Sequence, residues 1–212
     1  MRIRRKYKVC CLPRSDTAAA VPLEERVRWL WEKLRRWLER LGPFGRTMQV
    51  AITLHDGELR SLATDPVLAL AVDLDLAASL VLFADGAVRW FVGQRHALLP
   101  ADEASLVAQW ASSPVSLFEV TDVSLGTGFS LRDMRTGDTV AVHEDSGSRH
   151  VVAGDVVLTH PVFDGRRHRI VGGMIGLPAR RGDVVIEALD AEVGSLRLAR
   201  IMTTARGGRT AC

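Results

Sequence analysis

The chain has 212 residues, 47% of them hydrophobic and 25% charged, with a net charge of +3 at pH 7. That is an ordinary globular balance, long enough for one or two domains whose cores need no covalent staples. Three cysteines, Cys10, Cys11 and Cys212, exclude a disulfide framework and point to a reducing, cytoplasmic setting.

Residues 1–19 read as a basic arm. Across residues 1–46 the basic side chains outnumber the acidic ones 13 to 5, an excess of +8 against +3 for the whole chain, so the remainder is mildly acidic at −5. A basic arm on an acidic body predicts an anionic partner. The stretch "LPRSDTAAAVPLEER" after Cys11 lacks the apolar core of a secretory signal.

Residues 20–113 read as mainly helical. "PLEERVRWLWEKLRRWLERL" places Leu23, Val27, Leu30, Leu34, Trp37 and Leu41 on one stripe, with Trp29 and Trp31 expected to widen it. Pro22 suits its start and Gly42 its stop, and Glu24–Arg28 and Glu32–Arg36 are acid-before-base pairs. In "TMQVAITL" the alternation of Met48, Val50, Ile52 and Leu54 favours a strand turned by "HDGE", with a helix as the other reading. "PVLALAVDLDLAASLVLFA", capped by Asp65, reads as a buried helix; Asp73 and Asp75 near its middle argue against a membrane span. "AVRWFVGQRHALL" and "ADEASLVAQWASS" read as two more helices, ended by Pro114.

Residues 114–178 switch to period two. "VSLFEVTDV", "GFSLRDM", "TVAVHE", "DVVLTHPVF" and "RRHRIVGGMIGL" are five strand candidates separated by turn-rich segments. Phe118, Val120, Phe129, Leu131, Val140 and Val142 should face one core. "FDGR" is a two-residue hairpin signal that would set Pro161 opposite His168 and His160 opposite Arg169. Residues 179–203 read as a C-terminal helix and residues 204–212 as a disordered tail. The expected fold class is α+β: a helical region, a small antiparallel β-barrel-like module and a final helix.

The segment Lys6, Tyr7, Lys8, Cys10, Cys11 resembles the second half of the SEC-C motif, a small zinc-binding module. That motif runs Cys-x-Cys, a Gly-Ser-Gly turn, a Lys-Tyr-Lys segment, then Cys-Cys or Cys-His. Here Met1 falls where the second cysteine of the first pair belongs, and Arg2, Ile3 and Arg4 replace the glycine turn, which favours a decayed motif. In order and content, the helical segment, "LLPADE" and the strands that follow look like uncharacterised bacterial SEC-C proteins, often actinobacterial. The resemblance implies zinc on Cys10 and Cys11, and docking of Arg4, Arg5, Lys6, Tyr7 and Lys8 to a protein-export or translation partner. Two thiolates are half of a tetrahedral zinc shell.

Other motifs carry less. "GTGFS" lacks the third glycine of a nucleotide loop and leads into a strand. The histidines read as surface or sheet residues, and Asp133, Asp138, Glu144 and Asp145 as acids that cap turns. No catalytic residue is assigned. The function expected is a non-enzymatic interaction protein that binds an acidic protein partner without inserting in a membrane. The alternatives are a nucleic-acid-binding protein whose basic arm grips phosphates while Tyr7 stacks, and an enzyme without a local signature. The oligomeric state is left open.

Overall fold

The computed structural model describes residues 23–56 and 66–203. Helix α1 (Leu23–Arg40) forms on the predicted stripe. Val27, Leu30, Leu34, Trp37 and Leu38 are buried there, whereas Leu41 lies past the helix end and is 52% exposed. Trp31 sits on the shoulder of the stripe and packs on the core; Trp29 points almost opposite and is exposed, contrary to expectation. Arg36 Nε donates to Glu32 at 2.8 Å, the predicted i, i+4 pair. A Cβ on Gly42 would lie 2.8 Å from the Leu38 Cα, so the chain turns where only glycine fits.

The expected strand at residues 47–54 is instead helix α2 (Phe44–His55). Its buried residues are Thr47, Val50, Ala51 and Leu54, the i, i+3, i+4, i+7 face of a helix. Ile52, which alternation assigns to the core, is 55% exposed. Helix α3 (Pro66–Ser79) runs into a single π turn (Leu80–Ala84), whose i to i−5 bond joins the Asp85 N–H to the Leu80 carbonyl at 3.1 Å. Helices α4 (Ala87–Arg95) and α5 (Ala101–Trp110) follow, linked by a 3-10 turn at His96–Leu98. Among the described residues no helix is long and apolar enough to cross a membrane. Asp73 and Asp75 find partners within the protein: His55 at 3.1 Å and Arg35 at 3.3 Å.

Seven strands form one mixed sheet: β1 (Ser116–Ser124), β2 (Gly128–Asp133), β3 (Thr139–His143), β4 (Val156–Thr159), β5 (Pro161–Phe163), β6 (His168–Ile170) and β7 (Ile175–Leu177). Their order is β5-β6-β3-β2-β1-β4-β7, antiparallel except where Val142 meets His168. The predicted strands at residues 155–163 and 166–177 are each broken in two. They form one long bent hairpin: its β4–β7 half lies beside β1, and its β5–β6 half lies beside β3. Only His160 separates β4 from β5, yet the two strands lie near opposite ends of the sheet order. The sheet must therefore curl until its ends approach each other, which makes an α+β fold with a half-barrel.

Side-chain alternation divides the core. Phe118, Val120, Phe129, Leu131 and Val142 fill the inside of the curl, with Val140 packed on them, as predicted, and Val157 joins them. Leu117, Val156, Leu158 and Leu177 face outward and join a second core with the helices. Strand β4 is buried on both faces. After β7, helices α6 (Gly182–Asp190) and α7 (Ser195–Thr203) stand where one helix was expected. The break passes through Glu192, with φ of 48°, and Asp85 accepts both the N–H and the hydroxyl of Ser195 at 2.6 Å.

The bend between β6 and β7 lies against α3. A Cβ on Gly173 would meet the Leu76 backbone at 2.7 Å, and one on Gly172 would meet Ser79 Oγ at 1.9 Å. Gly173→Ala is therefore expected to cost about 1–3 kcal/mol, because neither backbone can move aside alone. Gly172→Ala and Gly137→Ala share a φ of 81°, but no atom lies within 4 Å of the Gly137 position, so that pair separates backbone conformation from close approach. Urea unfolding of the three variants checks this; a loss for Gly172→Ala no larger than that for Gly137→Ala would mean that backbone conformation, not close approach, dominates there.

Candidate functional site

A groove of about 250 Å3 runs between α1 and α4 and is closed at one end by the 3-10 turn. Its cations are Lys33, Arg36 and Arg40 along one edge of α1 and Arg95 on α4; among the described residues no acid lines it. Residues 33, 36 and 40 lie on one side of α1 because i, i+3 and i+7 share a helical face. Lys33 is paired with the buried Glu103, and Arg36 with Glu32. Among the described residues Arg40 and Arg95 make no ion pair, so their charge is open to a ligand.

The floor is apolar. Trp37 and Phe91 are 4% and 3% exposed and form an edge-to-face pair with centroids 5.5 Å apart. Trp37 Nε1 donates to Gln94 Oε1 at 3.1 Å, which fixes the indole in place. Accessible apolar surface comes from Leu98, 70% exposed, and Leu41, 52% exposed. Trp90, 49% exposed, stands edge-on to Trp37 at 5.1 Å. A rigid aromatic base, open leucine walls and a cationic rim suit an apolar side chain carried on an acidic chain. Both aromatics that line the groove are covered, so neither offers a face for base stacking.

A second, polar cleft of about 380 Å3 lies between the π turn, the end of α5 and the α6–α7 break. Its charges are largely spent on the protein itself. Asp85 caps α7, and Arg135 Nε donates to Asp190 at 2.8 Å. Behind it lies His160, 1% exposed. This corrects its reading as an ordinary surface or sheet histidine: it is the corner residue between β4 and β5. Its Nε2–H donates to the Ser113 carbonyl at 2.8 Å, its ring stacks on Phe83 at 3.7 Å, and among the described residues its Nδ1 has no partner. Burial pushes its pKa down to about 4, against a smaller upward pull from the Ser113 carbonyl.

The hairpin predicted as a two-residue turn closes with four residues. Phe163 pairs with His168, Val162 with Arg169 and Pro161 with Ile170, so the expected pairings Pro161–His168 and His160–Arg169 are both displaced. The Asp164 carboxylate accepts the N–H groups of Arg166 and Arg167 at 2.8 and 2.9 Å and the Arg169 Nε at 2.5 Å, which captures the wider loop. Burial alone would raise the Asp164 pKa, but those N–H groups and the Arg169 guanidinium together hold it below the usual aspartate value.

Of the turn acids, Asp133 and Glu144 accept backbone N–H groups as expected, whereas Asp138 and Asp145 bond side chains. Asp133 accepts the Arg135 N–H at 2.8 Å, Asp138 the Thr136 hydroxyl at 2.8 Å, Glu144 the Ser146 hydroxyl at 2.7 Å, and Asp145 pairs with Arg149 at 2.9 Å. The His55–Asp73 contact has the look of a base and its orienting acid. The contact joins α2 to α3, and among the described residues no hydroxyl or thiol bonds the other ring nitrogen.

The predicted partner-binding residues Arg4, Arg5, Lys6, Tyr7 and Lys8, and the predicted zinc thiols Cys10 and Cys11, lie outside the described residues, as do Asp65 and residues 204–212. Among the described residues no three His, Cys, Asp or Glu side chains are grouped to hold a metal. The groove was not foreseen. Its signal was present as Lys33, Arg36 and Arg40 beside the stripe, and as Phe91, Arg95 and Leu98 at the same helical spacing. Comparison with protein-family models found no match. Neither the curated proteins nor the solved structures gave a match.

Proposed function

We propose that the protein is a non-enzymatic docking module that binds an acidic protein partner in the groove between α1 and α4. The observation that carries this reading is the pair of unengaged guanidinium groups, Arg40 and Arg95, beside the open side chains of Leu41 and Leu98. Charge on the rim selects and steers the partner, and the leucines supply contact that salt does not remove. The SEC-C-like segment adds the basic arm as a second contact, zinc on Cys10 and Cys11, and a cytoplasmic export or translation partner. These additions rest on the resemblance.

The test is a titration followed by tryptophan emission, since Trp37 lines the groove and Trp90 packs edge-on against it. The probes are an acidic leucine-bearing polypeptide and a single-stranded RNA. The polypeptide is expected to shift the emission and to bind about tenfold more weakly to R40E/R95E, each exposed pair contributing about 0.2–1 kcal/mol and reversal adding repulsion. Leu98→Ser should weaken binding at high salt as well as low. RNA that shifts the emission and loses its hold on R40E/R95E, while the polypeptide does nothing, would overturn the docking reading in favour of nucleic acid.

A further inference from the structure

We infer that the segment seated in this groove is an amphipathic α-helix, with apolar anchors on one face and carboxylates flanking them. The inference rests on the docking reading and goes further by fixing the conformation of the occupant. The groove is walled by helices and the residues that end them: α1 and Leu41 on one side, α4, its 3-10 extension and Leu99 on the other. An extended peptide would bring unpaired N–H and C=O groups against Trp37, Phe91, Leu98 and Leu99. Among the described residues no strand edge lies there to accept them. A helix satisfies its own backbone and can enter such a groove without that penalty.

The spacing of the walls agrees. Lys33, Arg36 and Arg40 run over two turns of α1, roughly 10 Å at 1.5 Å per residue. A helix laid beside α1 meets that row with acids at its own i, i+3 or i+4, and i+7 positions. Between the rows, Leu41 just past α1 and Leu98 from the α4 side leave room for a leucine or phenylalanine knob. Arg95 closes the far rim and reaches the opposite flank of the same helix.

Charge excludes the chain's own ends as the occupant. Residues 1–22 hold Arg2, Arg4, Arg5, Lys6, Lys8 and Arg14 against Asp16 alone, and residues 204–212 hold Arg206 and Arg209 with no acid. Both carry the same sign of charge as Arg40 and Arg95, the rim cations without an acid partner among the described residues.

Three synthetic peptides of identical composition test the inference on the full chain. One arranges leucine and glutamate with helical periodicity, the second alternates them with period two, and the third keeps the helical order but carries its single proline at the centre instead of the end. Tryptophan emission reports occupancy, and the circular dichroism of the mixture reports helix gained on binding. The helical peptide is expected to bind with a gain of helix, and the other two at least tenfold more weakly. R40E/R95E and Leu98→Ser should weaken the helical peptide specifically. If the period-two peptide binds as well as the helical one and both respond to these variants, the docking reading stands and the helix inference is overturned. If none of the three perturbs the tryptophans, both fall. A second copy of the chain as the occupant would appear as a dimer that R40E/R95E dissociates, which also overturns the inference.

Discussion

Trp110→Ala is expected to destabilise the protein by about 3–5 kcal/mol, the range for removing a fully buried large aromatic side chain. Trp110 has no exposed surface, and its indole N–H donates to the Phe163 carbonyl at 3.1 Å. The residue therefore fills the joint between α5 and the β5–β6 half of the hairpin while satisfying a strand carbonyl that has no ladder partner there. Trp110→Phe separates the two contributions. It keeps most of the apolar volume and strands the carbonyl, so its loss should be smaller, about 1–3 kcal/mol. Urea unfolding gives both numbers. A loss below about 1 kcal/mol for the alanine variant would show that α5 does not hold the hairpin in place.

Acid should loosen the same region through His160. Its folded pKa of about 4 lies below the ordinary histidine value of 6.5. Between those values the unfolded chain takes up a proton that the folded chain refuses. Stability is thus complete above pH 6.5, declines as the pH falls, and is lower by roughly 3 kcal/mol once the pH reaches the folded pKa. Asp164 adds little in that window, because a lowered carboxyl pKa gives stability that disappears only at still lower pH. In His160→Phe the ring contact with Phe83 can persist while the titrating nitrogens are gone. Its stability should be lower at pH 7, where the Ser113 carbonyl is left unpaired, but nearly level from pH 7 to 4.5. A slope unchanged by the substitution would assign the acid sensitivity to another group.

What the sequence revealed follows the range of the forces that act. The α1 stripe is local and strongly periodic, and Val27, Leu30, Leu34 and Trp37 are buried as read. The inward faces of β1, β2 and β3 were legible for the same reason, since two-residue alternation along Phe118–Val120 and Phe129–Leu131 has few competitors. Residues 47–54 misled because Val50 and Leu54 satisfy both periods; only Thr47 and Ala51 break the tie, and neither is strongly apolar. The bend at His160 changes no local pattern. It becomes visible only when Ser113 and Phe83, far apart in sequence, converge on one ring. The groove was hidden in the same way: Arg40 and Arg95 belong to different helices, and the sequence gives no sign that α1 and α4 lie side by side. The four-residue loop after β5 shows a side chain overriding a turn signal, with Asp164 gathering two N–H groups that a tighter turn would leave elsewhere.

The bent hairpin also governs how this protein avoids sticking to itself. A half-barrel keeps two strand edges, and exposed edges are templates for intermolecular β-sheet growth. Here both terminal strands are three residues long, too short for a foreign strand to gain much register. One begins with Pro161, which has no N–H to offer, and its Phe163 carbonyl is already taken by Trp110. Seen this way, α5 shields the edge as well as supporting the fold, and damage to it exposes β5 before the rest of the sheet is lost. Partly unfolded molecules should then aggregate through this one end, and a charged residue placed at Val162 would trade stability for solubility there.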